Sequence, residues 1–344
     1  MSKILSFIIP SYNCEKFLDK CLTSFLCDET NDRVEVIVVN DGSKDGTAKI
    51  AEKYCDNYPS VYRLINQENK GHGGALNTGL QAATGKYLKV IDADDWVETA
   101  NLPQLVKKLQ ITESDVVLCH HYTINISTGE VRKWKSYPEK FGVPYTFNEI
   151  MDNWKSFDRS LTFHGVIYRN DFYKENAIQL SEHVFYEDHE YATIPCCYAK
   201  SITPFDMFLY HYRIGDVEQS VSDQNQLNRI SHTDAVLTRL IDEYKKSDNM
   251  DKEGRRYYAM KAQGLLLSYI TTVMLVEKNK KKGRQMGDKM MERFKTELPE
   301  TYELAVKQYK IFRMMNKLHI SKKTWEKISH SSLYNKLRKN HSFD

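Results

Sequence analysis

The first 91 residues alternate short apolar runs with segments of helical periodicity, and this alternation restricts the possible folds more than any other feature of the chain. Strands are predicted at residues 4–9, 34–39, 61–65 and 86–91, and helices at 15–25, 45–58 and 75–83. Strands that alternate with helices through short connections are typical of an α/β protein, with a mostly parallel sheet and helices on both of its faces.

Polar clusters follow all four of these strands. They read PSYN at 10–13, NDGS at 40–43, NQENKGHGG at 66–74 and DADD at 92–95. In parallel α/β sheets, ligands bind at the carboxyl ends of the strands. Because these ends meet at one edge of the sheet, we expect the four loops to converge on a single site.

The last cluster places three carboxylates close together, at Asp92, Asp94 and Asp95. Acids at this spacing repel one another unless a cation or hydrogen-bond donors compensate them. One interpretation is a site for a divalent cation and the diphosphate that it carries. The alternative is an acidic turn that caps the next helix. Asp94 is the candidate ligand for Mg²⁺ or Mn²⁺, which prefer oxygen ligands, and Asp92 is the candidate for holding ribose hydroxyls.

Two further acids are candidates for specific roles. Asp41 ends the second strand, where a short side chain is suited to accept a hydrogen bond from a nucleotide base; alternatively, it begins an Asx turn. Asp188, or Glu187 beside it, is a candidate general base from a distant part of the chain. The alternative for Asp188 is a cap of the helix that follows it.

Two phosphate-binding motifs are excluded by the sequence. The P-loop pattern GxxxxGK[ST] does not occur. The stretch GHGGAL at 71–76 departs from GxGxxG at its last position, and no acid stands at the expected distance beyond it. A dinucleotide-binding Rossmann protein is therefore not expected.

Composition bounds the location and the partners. The net charge of +3 does not favour nucleic acid. The seven Cys lack any CxxC spacing and predict reduced thiols in a cytoplasmic protein. The apolar run at 4–9 is too short for a signal peptide, and no run approaches the roughly 20 residues of a membrane span. We therefore expect a soluble protein, for which contact with a membrane surface stays open.

The remainder of the chain divides into two regions. Up to about residue 223 we predict a helix at 101–110, strands at 115–120, 163–169 and 207–213, and an irregular aromatic-rich connection at 125–160. That connection is either a binding lid or a satellite hydrophobic cluster. Beyond it, helices are predicted at 227–244, 257–276, 286–298, 302–315 and 332–338. We assign domains to residues 1–223 and 224–344.

Taken in order, the motifs of residues 4–222 resemble those of family 2 glycosyltransferases with the GT-A fold. The matching stretches are IIPSYN at 8–13, VVNDGSKDGT at 38–47, NKGHGGALNTGLQAATGKYL at 69–88, IDADDW at 91–96, Glu187–Asp188, and the YHYR and QSVS segments at 210–213 and 219–222. The resemblance implies a metal-dependent enzyme that transfers a sugar, with inversion, from an NDP-sugar to an acceptor hydroxyl in the synthesis of a surface polysaccharide or exopolysaccharide. By family habit the donor is a UDP-sugar.

The resemblance also implies roles for individual residues. Asp41 matches the residue that contacts the base, Asp92 the ribose-side acid, Asp94 the metal ligand and Asp188 the catalytic base. The rest of the nucleotide-sugar site is assigned to Pro10, Tyr12, Asn13, Lys70, Gly73, Asn77 and Ala93. His211 falls near a second metal ligand of some relatives, although an isolated histidine in a strand is often structural.

Rival functions and partners stay open. A sugar nucleotidyltransferase shares the fold type but would need a glycine-rich basic loop after the first strand, where PSYN stands; a nucleotide-sugar-binding protein without transfer activity is the other alternative. The acceptor is expected to be a glycan or a lipid-linked glycan. The basic segments 278–284 and 317–339 are either solvated faces or contacts for anionic lipid at the inner membrane face. A homodimer through 257–276 also stays open.

Overall fold

A computed structural model describes residues 2–215 and 223–329 of the chain. The chain divides into two compact units, one formed by residues 1–219 together with 249–258 and the other by 220–248 together with 259–344. This division differs from the predicted boundary at 223/224 because residues 249–258 return to the first unit. The predicted helix at 332–338 and the QSVS segment lie outside the described residues.

The first unit contains a ten-stranded mixed sheet. Its strands are β1 (Leu5–Ser11), β2 (Val34–Asp41), β3 (Tyr62–Gln67), β4 (Tyr87–Val90), β5 (Trp96–Val97), β6 (Val116–Asn125), β7 (Val131–Trp134), β8 (Tyr145–Thr146), β9 (Val166–Arg169) and β10 (Ser201–Ile214). Their order is β3-β2-β1-β4-β9-β6-β10-β5, with β7 beside β6 and β8 beside β10.

The four strands that carry the polar clusters form the parallel half of this sheet. β1 pairs in parallel with β2 and β4, and β2 pairs in parallel with β3. All residues of β1, β2 and β4 are buried, as expected for strands covered by helices on both faces. β9 then runs antiparallel to both β4 and β6, so the sheet is mixed beyond β4. The predicted α/β architecture is confirmed.

The helices of the first unit begin with those that connect the parallel strands. They are α1 (Glu15–Thr23), α2 (Thr47–Asn57), α3 (Gly71–Ala82), α4 (Leu102–Ile111), α5 (Phe147–Asp152), α6 (Trp154–Phe157), α7 (Asn170–Asn176) and α8 (Asp188–Thr193). The helix α3 begins four residues before its predicted start. Glycines disfavour helices, so the GHGG sequence predicts a loop. In the structure this stretch forms the first turn of α3, where glycines are needed because a neighbouring segment packs closely against them.

The connection at 125–160 is not irregular, and that prediction is wrong. It contains β7, β8, α5 and α6, which are only two to six residues long and therefore too short to show periodicity. A capping box does mark the start of α5, where Thr146 accepts from the Glu149 backbone and the Glu149 side chain accepts from Thr146. Gly129 and Gly142 in this stretch face open space.

The remaining helices confirm the predicted helical C-terminal region. They are α9 (Asp223–Asn228), α10 (Ile230–Lys246), α11 (Lys252–Thr271), α12 (Lys280–Glu297), α13 (Pro299–Lys317) and α14 (Lys322–Ser329). A π-helical turn, Thr272–Val276, extends α11. By length and composition alone, residues 252–276 could cross a membrane, and this is the one such helix in the described ranges. More than half of its apolar window is buried, as in the core helices of soluble proteins.

Candidate functional site

The turn after β4 is held by one of its own acids. Asp95 is buried and accepts hydrogen bonds from the Tyr210 hydroxyl at 2.6 Å and from the Arg213 backbone at 2.7 Å. The same hydroxyl accepts from the Asp92 backbone at 3.1 Å. Burial, followed by the charges of Asp94 and Asp92, raises the pKa of Asp95 well above its usual value. Asp95 therefore supports the turn, and β10 fixes it.

Asp94 leaves this turn towards solvent, and its side chain is 39% exposed. Burial and the neighbouring Asp92 carboxylate raise the pKa of Asp94 to about 6. The Arg213 guanidinium lies 3.9 Å from Asp94 and 4.4 Å from the ring centroid of Phe17. A carboxylate whose charge is disfavoured in this way is stabilised by an added cation.

Asp41 lies at the end of β2 and is buried. Its Oδ1 accepts hydrogen bonds from Gln67 Nε2 at 2.7 Å and from the Lys70 backbone at 2.8 Å. In NDGS, Asn40 Oδ1 accepts from the Ser43 backbone, three residues later, at 3.2 Å. The contacts of the Asp41 carboxylate run to the β3–α3 connection instead, and they do not form the Asx turn that was the alternative for this residue.

The PSYN loop lies against the NDGS loop. The Asn13 backbone donates to Ser43 Oγ at 3.0 Å, and Asn13 Oδ1 accepts from the Lys44 backbone at 2.8 Å. Pro10 is buried within β1, while half of the Tyr12 surface is exposed beyond the strand end. These contacts bring two of the four predicted loops together, and the Tyr12 ring beside them is half exposed to solvent.

Three residues of the predicted donor site contact the segment that precedes α8. Asn77 donates to Leu180 O at 3.0 Å and accepts from Leu180 N at 2.8 Å, so it holds that backbone from both sides. The Lys70 carbonyl accepts from the His183 backbone at 3.0 Å. Gly73 packs so closely that an added Cβ would lie 2.1 Å from the Ser181 carbonyl oxygen. These residues have packing roles, and their assignment to donor binding stays a prediction.

His72 links the turn after β4 to the segment before α8. The carboxylates of Glu187 and Asp92 raise the pKa of His72 well above its usual value, although burial acts against its charge. With both ring nitrogens protonated, Nε2 donates to Asp92 Oδ1 at 2.9 Å and Nδ1 donates to Glu187 Oε1. The Glu187 side chain is only 4% exposed. Asp188 follows it directly and begins α8.

Tyr212 lies within electrostatic range of both Asp188 and the acid cluster. Burial raises the pKa of the Tyr212 hydroxyl, and the carboxylates of Asp95, Asp92 and Asp188 add to that effect. The candidate base and the strand-end acids therefore act on the same side chain, although they are almost 100 positions apart in the sequence. Ala93 is buried between the two acids of the turn.

His211 has a different environment from the acids. Its ring stacks between Trp96 and Tyr122, at centroid distances of 5.3 and 4.9 Å, and its Nε2 faces Glu98 at 3.3 Å. It lines a shallow cleft of about 520 Å³ together with Lys20 and Trp96. Within residues 2–215 and 223–329, no three His, Cys, Asp or Glu residues are grouped to hold a metal ion. The metal role of His211 thus stays a prediction without support from these contacts.

The structure adds residues that the sequence did not single out as site residues. Gln67 orients Asp41, His72 links two acids, and Arg213 supplies a cation beside Asp94. Arg213 and Tyr210 belong to the YHYR stretch, and His72 belongs to the GHGG run. Their position in these motifs was the only sequence feature that could have identified them as site residues. Together these side chains provide carboxylates, an imidazole and a guanidinium, groups that can bind cations, bind anions and accept protons.

Comparison with known sequences bears on this arrangement. The sequence model described as "Glycosyl transferase family 2" matches residues 6–175. EpsH of Bacillus subtilis (strain 168), which carries a glycosyltransferase name, is 29% identical over 221 residues, covering 61% of this chain and 60% of EpsH. The matches cover 18% and 35% of two further curated relatives. The chain thus spans less than two thirds of the length of these relatives.

Solved structures share the architecture. S. aureus TarS 1–349 in complex with UDP-GlcNAc has a TM-score of 0.59 at 19% identity and covers 92% of both chains. The mannosyltransferase PcManGT from Pyrobaculum calidifontis, in complex with GDP-Man and Mn²⁺, has a TM-score of 0.50 at 15% identity, covering all of this chain and 89% of that one. At these identities the likeness shows the fold, and the predicted GT-A type is confirmed.

Proposed function

Through residues 6–175 the chain belongs to glycosyl transferase family 2, and we propose that it transfers a sugar from a nucleotide-diphosphate sugar to an acceptor hydroxyl with inversion. The observation that supports this proposal is the contact of His72, which joins Asp92, beyond the carboxyl end of a parallel strand, to Glu187, the residue directly before Asp188. Asp41 ends the neighbouring strand, where its carboxylate is held in a fixed orientation.

Each acid has a role in the proposed reaction. Asp41 accepts from the base and Asp92 from the ribose. Asp188 takes the proton of the acceptor hydroxyl as its oxygen bonds to the anomeric carbon, while the bond from that carbon to the diphosphate oxygen breaks. Arg213 is placed to attract the departing negative charge. The complexes of TarS with UDP-GlcNAc and UDP support a UDP-sugar as donor.

A divalent cation, Mn²⁺ or Mg²⁺, fits this proposal at Asp94. Burial and Asp92 raise the pKa of this partly exposed carboxyl although Arg213 lies 3.9 Å away, which supports a further cation there, and its oxygens are the ligands that both metals prefer. No complete set of protein ligands surrounds it in the described part of the chain, so the donor phosphates would supply the others. When bound, the metal neutralises charge on the leaving diphosphate.

The acceptor and the setting are proposed more broadly. Names of relatives such as chondroitin synthase support a glycan product, and we propose a glycan or lipid-linked glycan as the acceptor in the synthesis of a surface polysaccharide. A cytoplasmic protein that contacts the inner membrane face would meet such an acceptor. The lysines at the start of α12 are the candidate contact with anionic lipid.

Release of nucleotide from a panel of NDP-sugars in the presence of Mn²⁺ tests the proposal. We expect slow donor hydrolysis by the purified protein and faster release once an acceptor is added. Absence of release with every donor, together with absence of metal-dependent NDP binding, would contradict the proposed function. NDP binding without any turnover, with and without candidate acceptors, would instead support a binding protein that lacks transfer activity.

Two variants separate the roles of the acids. Asp94→Ala should remove metal-dependent donor binding, whereas Asp188→Asn should keep binding and lower transfer by about 10²–10⁴-fold, the usual contribution of a general base. Asp206→Asn is the matched control, because this half-exposed carboxylate pairs with Lys135 and His120 and, within the described residues, has no contact with the acids of the candidate site. Transfer by Asp188→Asn at the wild-type rate would refute the assignment of the base.

A further inference from the structure

The segment between α7 and α8 is fixed along the first turns of α3. Asn77 holds Leu180 through two hydrogen bonds, and the Lys70 carbonyl accepts from the His183 backbone. At the other side, Ser181 donates to the buried Glu190 carboxylate from its backbone and from its hydroxyl, at 2.9 and 2.7 Å. The segment therefore has hydrogen-bond partners on both α3 and α8.

The glycines of α3 make this contact close. A Cβ at Gly73 would lie 2.1 Å from the Ser181 oxygen, and one at Gly71 would lie 2.8 Å from the His183 nitrogen. Gly71 also has a φ of +76°, which side chains other than glycine rarely adopt. No side chain fits between helix and segment at these two positions. His72, which lies between them, projects instead towards the acids.

His72 joins two carboxylates that belong to opposite sides of the proposed reaction. Asp92 lies at the end of β4, on the donor side, and Glu187 immediately precedes the candidate base. We call this contact, Asp92–His72–Glu187, the imidazole bridge. Because His72 engages Oδ1 of Asp92, the other carboxylate oxygen keeps capacity to accept from a ligand.

We propose that His72 is a positioning residue that sets the orientation of Asp92 and the location of Asp188 through the imidazole bridge. This inference rests on the proposed function. Glu187 is almost fully buried, so without His72 its carboxylate would lose its donor and would lie unpaired beside Asp188. A buried carboxylate without a partner is strongly disfavoured, and the segment would shift to expose it.

The expected kinetic effect follows from which groups remain in place. In a His72→Gln variant, Asp41, Asp94 and Arg213 are unchanged, so donor binding should be largely retained. Asp188 would be displaced, and displacements of about 1 Å lower turnover by up to about 10²-fold. We expect kcat to fall by roughly 10- to 100-fold, while KM for the donor changes far less.

A second substitution should rescue the first. Glu187→Gln in the His72→Gln background removes the buried charge and leaves two amides that can bond to each other, so the double variant should be faster and more heat-stable than His72→Gln alone. A residue important only for folding would lower the amount of active protein, and its kcat, corrected for the folded fraction, would stay at the wild-type value. His183→Asn is the control, because His183 lies on the same segment with an exposed side chain and Asn tolerates its left-handed backbone.

The experiment measures kcat, KM and the unfolding midpoint for wild type, His72→Gln, Glu187→Gln and the double variant. A specific fall in kcat that Glu187→Gln reverses supports the proposal. Wild-type kcat in His72→Gln, or strictly additive effects, overturns it. If the wild-type protein turns over no donor, the proposed function fails, but the unfolding midpoints still test the bridge. A double variant that is more stable than His72→Gln alone supports the bridge, and strictly additive changes in the midpoint overturn it. The same comparison applies if His72→Gln is too unstable to assay.

Discussion

Lys89 allows a quantitative test of the electrostatics behind the acid turn. It lies on β4, is fully buried, and donates to the Phe163 carbonyl at 2.6 Å. The ring centroids of Tyr210 and Phe163 lie 5.1 and 5.8 Å from its nitrogen. Burial lowers the pKa of Lys89 to about 7, because the charged form loses its hydration.

The sign of the pH dependence follows from this pKa. In the unfolded chain a lysine titrates near 10.4, about three units higher, so between pH 7 and 10 the unfolded state binds more protons. Stability therefore rises with pH across this window. From pH 7 to pH 9 the wild-type protein should gain about 2 kcal/mol in free energy of unfolding from Lys89 alone. A Lys89→Met variant cannot make this gain.

Urea unfolding at pH 7 and pH 9, followed by tryptophan fluorescence, measures this difference. Three of the four Trp lie in the first unit and report on the sheet that contains Lys89. Leu88→Met is the control, because Leu88 is an equally buried neighbour without a titrating group. If wild type and Lys89→Met respond equally to pH, Lys89 is not a desolvated cation and the reasoning fails.

Other predictions concern packing and acid sensitivity. Gly73→Ala should lower both the stability of the protein and its turnover, because the added methyl group would clash with the Ser181 carbonyl. Gly264→Ala, in open space on α11, should instead raise the free energy of unfolding by roughly 0.5–1 kcal/mol. Unfolding midpoints and kcat of the two variants test this contrast. Hydrogen bonds from Ser6 and Thr84 lower the pKa of Glu35, although burial acts to raise it. Its stabilisation is therefore present above about pH 4.3 and is lost as pH falls through the lowered pKa. Midpoints of wild type and Glu35→Gln should consequently converge on acidification.

The fold of the first 91 residues was predictable because each strand is apolar along its length and ends in polar residues. Two later errors have local causes. The elements between residues 125 and 160 are too short for periodicity, and β10 begins six residues before its predicted start, where Pro204 interrupts the strand pattern. A proline within a strand argues against the assignment, but here register shifts after Pro204 accommodate it.

The sequence singled out the acids of the candidate site but not the side chains that contact them. Asp92, Asp94 and Asp188 stand in recognisable motifs, so their residue types were informative. The pairing of His72 with Glu187, 115 positions later, depends on the packing of α3 against another segment, which no local pattern encodes. For His211, the motif suggested a metal ligand. In the structure its ring stacks with its cross-strand neighbours, Trp96 on β5 and Tyr122 on β6.

The close contact between α3 and the segment before α8 restricts how this enzyme family member can diversify. No larger side chain fits at Gly71 or Gly73, so we expect substitutions at either glycine to disturb Asp92 and the segment before Asp188 together. Most side chains of the stretch from β7 to β8 are exposed, so substitutions there meet few neighbours, although Gly142 keeps a left-handed backbone that favours glycine. Changes in that stretch should therefore leave the imidazole bridge and the turn after β4 in place.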